Sequence, residues 1–172
     1  MSRRNLITLS ILVSFLSYGL YLKKSNDDYF NDSRSFILEE LPKVDMGGLQ
    51  ASDLTSSVGS FFHFWATWCG PCEKELPDFI KFINKFDGEI KGNLIAVKDD
   101  RVKVKVLLNK FNLNENFNVI FDDDGNIMKY FGSLRVPETF LFDNSEKFLK
   151  KYTGPQDWLN NYYFENTLFL TK

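Results

Sequence analysis

A continuous apolar run that leads directly into a pair of cysteines is the feature that most constrains the fold. The run from Val58 to Ala66, VGSFFHFWA, is interrupted only by His63 and is typical of a buried central strand. From Pro71 onward, apolar residues recur at helical spacing and charged residues take the opposite face, which predicts an amphipathic helix. Cys69 and Cys72 therefore lie between a buried strand and the first turn of a helix.

The rest of the chain alternates short strands with helical segments. We predict strands at 93–97 and 117–121, a hairpin of strands at 138–142 and 147–152, and a closing helix over 158–170. Between the first two strands, Asp99 or Asp100 can cap a helix that ends near Phe111, although the valines there alternate as in a strand. This order indicates an α/β sandwich with a mixed sheet.

Residues 1–24 have the organisation of a membrane anchor. Two arginines precede a stretch of 17 residues without charge, Leu6 to Leu22, and two lysines follow it. A cleaved signal peptide is the alternative, because Ser17 to Gly19 is a tolerable cleavage site. The apolar stretch continues past that site, which favours an uncleaved single-pass anchor.

The segment after the anchor predicts where the domain lies. Residues 25–35 are polar and indicate a tether, so residues 36–172 form the domain. The arginines favour a cytoplasmic N-terminus, which places the domain across the bacterial inner membrane, in the oxidising periplasm. Without residues 1–24 the chain keeps 17 basic and 23 acidic residues, a net charge of −6. That balance argues against a nucleic-acid partner.

The small number of cysteine and histidine residues limits what the cysteine pair can do. A disulfide between positions this close removes little entropy from the unfolded chain, so a purely structural role is poorly motivated. A tetrahedral zinc site needs four ligands, and the chain has two cysteines and one histidine. Glu73 stands after Cys72, where a c-type haem attachment needs histidine. A redox-active pair that needs no other cofactor remains.

The position of each cysteine on the helix predicts its role. The thiolate, rather than the thiol, attacks disulfides. Cys69 lies at the helix N-terminus, where unpaired N–H groups and the helix dipole favour negative charge. Cys72 lies one turn further in and is expected to be more buried. We therefore expect Cys69 to attack and Cys72 to resolve the mixed disulfide.

Four segments carry a resemblance to a known family. They are FWATWCGPC at 64–72, VKDDR at 97–101, FDDDG at 121–125 and PETFLFD at 137–143. On these motifs, residues 36–172 resemble the DsbE/CcmG proteins of cytochrome c maturation, in the TlpA/ResA branch. The resemblance implies a thioredoxin-like α/β fold, with a central mixed sheet flanked by helices and an N-terminal transmembrane anchor.

The same resemblance implies an activity and partners. The family are thiol:disulfide oxidoreductases that reduce disulfides in the haem-binding motifs of apocytochrome c, or in a partner thiol protein of the maturation process. Electrons come from a membrane reductase related to DsbD. In the substrate groove, the resemblance makes Pro137 a cis-proline opposite Cys69. It also makes Val136 a backbone contact for an extended substrate, and it places Trp68 among the substrate-binding residues.

Two acidic residues also match family positions. Glu75, three residues after Cys72, matches a carboxylate that tunes the pKa values of the thiols, and the spacing puts both on one helix face. The alternative is an ordinary solvated glutamate that the helix dipole favours. Glu138 matches an acidic residue of the substrate groove, where it would steer the substrate; the alternative is an ordinary surface charge.

Two residues depart from the family pattern. Arg135 stands where the family commonly has glycine, which alters the rim of the substrate groove. His63 stands where thioredoxins bury an aspartate beneath the cysteines. The imidazole is either a base for Cys72 or a hydrogen-bonded core residue.

Four rival functions stand beside the reductase of cytochrome c maturation. The least specific is a non-catalytic thioredoxin-like interaction domain, and the presence of both cysteines argues against it. A general TlpA/ResA-like reductase and a disulfide-forming oxidant would use the same cysteine motif. A copper assembly module of the SCO type has wider cysteine spacing and a downstream histidine, and no histidine follows Cys72 here. The direction of electron flow is not determined by the motif, and we infer reduction from the compartment and the downstream segments.

Overall fold

The computed structural model describes Leu41 and residues 49–171, all of them within the unit Phe36–Lys172. The predicted anchor and tether lie outside the described residues. Across the described part of the chain, no helix is both long and apolar enough to cross a membrane.

Five strands form one mixed sheet. They are β1 (Gly59–Trp65), β2 (Ile90–Val97), β3 (Phe117–Asp122), β4 (Glu138–Asp143) and β5 (Phe148–Thr153). The strand order is β3-β2-β1-β4-β5. Strands β1, β2 and β3 run parallel, whereas β4 is antiparallel to both β1 and β5. The central strand is β1, and all seven of its residues are buried, as its apolar run predicted.

In the part of the chain that the structure describes, four α-helices connect or follow the strands. They are α1 (Gly70–Asn84), α2 (Arg101–Leu108), α3 (Asn126–Tyr130) and α4 (Asn161–Leu170), and a short 3-10 helix, Ala51–Leu54, precedes β1. Helix α2 forms despite its alternating valines because the Asp100 carboxylate accepts hydrogen bonds from the N–H groups of Val102 and Lys103, at 2.8 and 3.1 Å.

Helix α3 was not among the helices predicted from the sequence. The buried Asp122 ends β3, and its carboxylate accepts hydrogen bonds from the N–H groups of Ile127 and Met128, at 3.0 and 2.8 Å. These donors belong to the first turn of the helix, where no backbone acceptor is available. The carboxylate therefore starts a helix that propensity alone does not indicate.

Alternate residues of β1 enter two apolar clusters on opposite faces of the sheet. Phe61 and Trp65 pack in a cluster with α1, α2 and α4. Phe62 and Phe64 pack in a second cluster with α3 and the 3-10 helix. The sheet is thus flanked by helices on both faces, as expected. His63 shares the face of Phe61 and Trp65, the face that α1 covers.

Candidate active site

The two cysteines form a disulfide where β1 is followed by α1. Cys69 is the N-cap residue of α1, and its Sγ accepts a hydrogen bond from the N–H of Cys72 at 3.3 Å. The positive end of the helix dipole therefore faces this sulfur, which favours a thiolate there after reduction. Cys69 is 7% exposed and Cys72 is fully buried. Both cysteines are buried, and Cys69 is the more exposed of the two, as predicted.

A proline loop lies opposite the first cysteine. The Val136–Pro137 peptide bond is cis, as the resemblance implied. The carbonyl oxygen of Val136 lies 3.8 Å from Cys69 Sγ. The loop therefore places a backbone acceptor beside the sulfur that a substrate must reach. An extended peptide can add to such backbone in the manner of a β-strand.

Trp68 is a large exposed side chain next to the disulfide. It is 62% exposed, and its Nε1 donates a hydrogen bond to the carbonyl oxygen of Lys98 at 3.2 Å. The preceding residue, Thr67, donates its N–H and its hydroxyl to the carboxylate of Asp99. Because Asp100 is the residue that caps α2, the carboxylate of Asp99 can bind the loop at Thr67 instead. These three hydrogen bonds fix the loop that carries Trp68 to the segment between β2 and α2.

Glu75 lies in the interior, one turn after Cys72. Its residue is 6% exposed, so the interpretation as a solvated glutamate is wrong. One carboxylate oxygen, Oε2, accepts a hydrogen bond from the N–H of Gln156 at 2.6 Å. Burial raises the pKa of Glu75 from 4.5 to about 7, and the N–H groups of Gln156 and of the Trp158 indole oppose that rise. A carboxyl group with this pKa can both accept and release a proton near neutral pH.

His63 is fully buried in the middle of β1. Its Nδ1 lies 2.8 Å from the hydroxyl oxygen of Thr139, and its ring stacks on Phe79 with centroids 4.4 Å apart. Burial lowers the pKa of His63 from 6.5 to about 3, so the imidazole is neutral near pH 7. The structure confirms the prediction that His63 is a hydrogen-bonded core residue. A ring of such low basicity is by itself a poor base for Cys72.

Glu138 carries no exposed charge into the groove. It is 2% exposed, and its carboxylate accepts hydrogen bonds from the Ser133 hydroxyl at 2.7 Å and the Leu134 N–H at 3.3 Å. The same carboxylate pairs with Nζ of Lys151 at 2.9 Å. This burial contradicts the interpretation as an ordinary surface charge, and the steering of substrate by Glu138 stays a prediction. Glu138 instead ties the loop before the cis-proline to β5.

The rim of this loop is exposed and carries a positive charge. Leu134 is 84% exposed, and Arg135, directly before Val136, is also exposed. The carbonyl oxygen of Arg135 accepts a hydrogen bond from the Ser133 hydroxyl at 3.3 Å. A long cationic side chain therefore stands at the substrate rim where the family commonly has glycine.

Two partners in the site were missed because the sequence carries no local signal for them. Gln156 is 81 residues from Glu75, and Thr139 is 76 residues from His63. The VKDDR segment did mark Asp99 in the sequence. However, the only role predicted for Asp99 was that of a helix cap. As for metals, the described residues hold no group of three or more His, Cys, Asp or Glu side chains that could bind an ion.

Sequence comparison identifies relatives over most of the chain. Residues 35–150 match the AhpC/TSA family. The thiol-disulfide oxidoreductase ResA of Bacillus cereus (strain ATCC 10987 / NRS 248) is 30% identical over 157 residues, which cover 88% of this chain and 85% of that protein. ResA of Bacillus subtilis (strain 168) is 28% identical over 151 residues, covering 85% and 81% respectively.

Solved structures show the same fold. A secreted Mycobacterium tuberculosis disulfide oxidoreductase homologous to E. coli DsbE superposes with a TM-score of 0.59 at 18% identity, covering 73% of this chain and 92% of that one. A putative thiol:disulfide interchange protein DsbE from Chlorobium tepidum gives a TM-score of 0.57 at 22% identity, covering 69% and 82%. Together these matches establish that the chain belongs to the AhpC/TSA family, has the thioredoxin-like fold and is a thiol-disulfide oxidoreductase related to ResA.

Proposed function

We propose that the protein is a membrane-tethered reductase that faces the bacterial periplasm. Its substrates are disulfides in the haem-binding motifs of apocytochrome c, or in a partner thiol protein of cytochrome c maturation. A DsbD-like membrane reductase returns the electrons. The observation that carries the proposal is the position of Cys69, at the N-terminus of α1 and 3.8 Å from the carbonyl oxygen of Val136. The KDDR and PETF segments and the predicted anchor support the specific substrate and location.

In the first step, the Cys69 thiolate attacks one sulfur of the substrate disulfide. The substrate S–S bond breaks, a mixed disulfide forms, and the other substrate sulfur leaves as a thiolate that takes a proton from solvent. The helix N-terminus and the N–H of Cys72 stabilise the attacking thiolate. Attack is favoured at Cys69 because Cys72 is fully buried.

In the second step, Cys72 releases the reduced substrate. The Cys72 thiol gives its proton to the Glu75 carboxylate, and the resulting thiolate attacks Cys69 Sγ. The Cys69–Cys72 disulfide forms, and the second substrate sulfur leaves as a thiolate. Two electrons have then passed to the substrate. Glu75 suits this role because it lies one turn from Cys72 and its pKa is about 7.

Substrate contacts come from exposed groups around the disulfide. Val136 offers its backbone to an extended peptide, and the exposed ring of Trp68 offers apolar area beside Cys69. Arg135 adds a positive charge at the rim. The buried carboxylate of Glu138 holds the loop before the cis-proline in place.

A general reductase is the second candidate function. The 30% identity with ResA of Bacillus cereus over 88% of the chain favours a thiol-disulfide oxidoreductase without specifying its substrate. A disulfide-forming oxidant would use the same two cysteines with the opposite electron flow.

Trapping of mixed disulfides tests the substrate directly. In a Cys72→Ser variant expressed in the native organism, Cys69 can attack a substrate but the mixed disulfide is not resolved. We expect the trapped proteins to be haem-motif apocytochromes or their maturation thiol protein. The matched control is Cys69→Ser, which retains only the buried cysteine and should trap almost nothing. A broad mixture of secreted proteins on Cys69 would contradict the specific proposal and favour a general reductase.

A further inference from the structure

Two buried polar atoms without hydrogen-bond partners, one on β1 and one on α1, lie close together. Nε2 of His63 lies 3.7 Å from Oε1 of Glu75, and both residues are buried. Among the described residues, neither atom finds a hydrogen-bond partner. Buried polar groups in folded proteins are nearly always hydrogen-bonded, and exceptions cluster at functional sites. The closeness of these two atoms therefore points to a joint role.

The second polar atom of each group is already engaged. Nδ1 of His63 lies 2.8 Å from the hydroxyl oxygen of Thr139, and Oε2 of Glu75 accepts from the N–H of Gln156 at 2.6 Å. A neutral imidazole has one N–H donor and one bare nitrogen, and the two can exchange places. The Thr139 hydroxyl can donate or accept, so it satisfies Nδ1 in either tautomer.

We propose that His63 and Glu75 act as one proton-exchange pair, in which the imidazole changes tautomer when the carboxyl group gains or loses its proton. When Glu75 is protonated, its O–H donates to the bare Nε2 and Nδ1–H donates to Thr139. When Glu75 is ionised, Nε2–H donates to Oε1 and the Thr139 hydroxyl donates to Nδ1. Both states remain hydrogen-bonded, and either one needs the 3.7 Å gap to close by about 1 Å.

The proton count connects the pair to the dithiol. The pair with protonated Glu75 holds one proton more than the pair with ionised Glu75. That proton comes from the Cys72 thiol when Cys72 resolves the mixed disulfide. His63 itself never becomes an imidazolium, in keeping with a pKa lowered by burial to about 3. His63 is therefore a positioning residue that keeps a buried carboxyl group satisfied in both protonation states.

The neighbours of the pair stay neutral near pH 7. Burial raises the pKa of Tyr152, on β5, well above its usual value, and burial also raises that of Tyr163. The Trp158 indole N–H favours the ionised form of Glu75 without reaching hydrogen-bond geometry. Because indole is only a donor, it cannot accept the proton of the carboxylic acid. His63 can form a hydrogen bond with both the protonated and the ionised form of Glu75.

The charged residues of the adjoining elements are engaged elsewhere. On β5, Lys150 contacts the Tyr162 hydroxyl and Asn166, both at 3.1 Å. Glu138 and Lys151 pair with each other at 2.9 Å, and strand alternation puts them on the face opposite Thr139. On α1, Glu73 is exposed. Asp78, three residues after Glu75, pairs with Lys81 at 3.0 Å. Three residues before Glu75, the thiol of reduced Cys72 lies on the same helix face.

The chain allows a direct spectroscopic test because His63 is its only histidine. Full-length oxidised protein in detergent micelles, labelled with 15N in the imidazole ring, gives two ring-nitrogen signals that differ widely between N–H and bare nitrogen. We expect Nδ1–H below and Nε2–H above a midpoint near pH 7, coincident with the carboxyl 13C titration of Glu75. One fixed tautomer across the Glu75 titration, or an imidazolium, would overturn the proposal.

Matched variants distinguish a hydrogen-bonded His63–Glu75 pair from two side chains that are only buried near each other. Glu75→Gln should hold the ring in a single tautomer at every pH. His63→Gln places its amide near the Nε2 position and should leave the Glu75 midpoint close to that of the wild type. His63→Asn reaches only the Nδ1 position, removes the donor to the carboxylate, and should raise the midpoint by about one pH unit. Equal midpoints in the two histidine variants would contradict the pairing.

The inference rests on the proposed function only where it takes Cys72 as the source of the proton. The tautomer measurement needs no substrate, so it can succeed if the trapping experiment identifies other substrates. Conversely, a fixed tautomer would leave the proposed substrate class intact.

Discussion

Replacing Glu75 with glutamine should change the pH dependence of stability in a defined direction. Burial raises the pKa of Glu75 from 4.5 to about 7, so between these pH values the folded state holds a proton that the unfolded chain has released. Such a proton stabilises the folded state fully below about pH 4.5, and the contribution is lost as the pH rises to about 7. Glutamine has no proton to lose, so the variant lacks this dependence.

The magnitude follows from the pKa difference. One pKa unit corresponds to about 1.4 kcal/mol, so the difference for Glu75 amounts to about 3 kcal/mol. The free energy of unfolding of Glu75→Gln minus that of the wild type should therefore rise by about 3 kcal/mol between pH 4.5 and pH 7.5 and then level off. His63, whose pKa is lowered, gives the opposite slope below pH 6.5. It is present in both proteins and largely cancels in the difference.

Urea unfolding of the oxidised proteins at half-unit pH intervals measures this difference. The matched control is Glu73→Gln, which removes an exposed carboxyl group from the same helix. Substitutions at such sites change stability by no more than about 0.5 kcal/mol, and we expect the control to stay within that range throughout. If the Glu75→Gln difference is as flat as that of the control, the reasoning about burial is refuted.

Three further substitutions test other parts of the structure. Glu138→Gln breaks a buried ion pair with Lys151. This substitution should lower the free energy of unfolding, measured by urea titration, by about 3 kcal/mol. A loss below about 0.5 kcal/mol would mean that the carboxylate is exposed. Asp122→Ala removes both hydrogen bonds that cap α3 and should lower the free energy of unfolding by about 2 kcal/mol in the same assay. An unchanged urea midpoint would show that α3 does not depend on this cap. Trp68→Ala should raise KM for a peptide disulfide about fivefold with stability nearly unchanged, and an unaltered KM would remove Trp68 from the substrate site.

Features of the fold that depend on local sequence could be predicted. The apolar run of β1 and the helical spacing after Pro71 indicated a buried strand followed by a helix, and the structure has β1 at Gly59–Trp65 and α1 at Gly70–Asn84. The order of exposure of Cys69 and Cys72 follows from their places in the first turn of that helix. Each of these inferences needs only neighbours within a few residues.

Features that depend on distant segments could not be predicted. Glu75 has the spacing of either a buried or a solvated residue, and the segment that contains Gln156 and Trp158 decides between them. Glu138 has the same ambiguity, which Lys151 resolves across the β4–β5 pair. Lys151 is not identifiable as a partner without the register of the sheet, since side-chain spacing alone does not specify which strands pair. Gln156 follows β5, so its contact with Glu75 depends on where the chain runs after the sheet.

The reduction potential of the Cys69–Cys72 couple tests the central claim most directly. The protein is equilibrated in redox buffers of graded thiol-to-disulfide ratio, and the dithiol fraction is measured by alkylation of the free thiols. A reductase is predicted to have a midpoint below about −200 mV, toward the value of about −270 mV found for thioredoxin. A midpoint near about −120 mV, as in the strong oxidant DsbA, would contradict the account and identify the protein as a disulfide-forming oxidant.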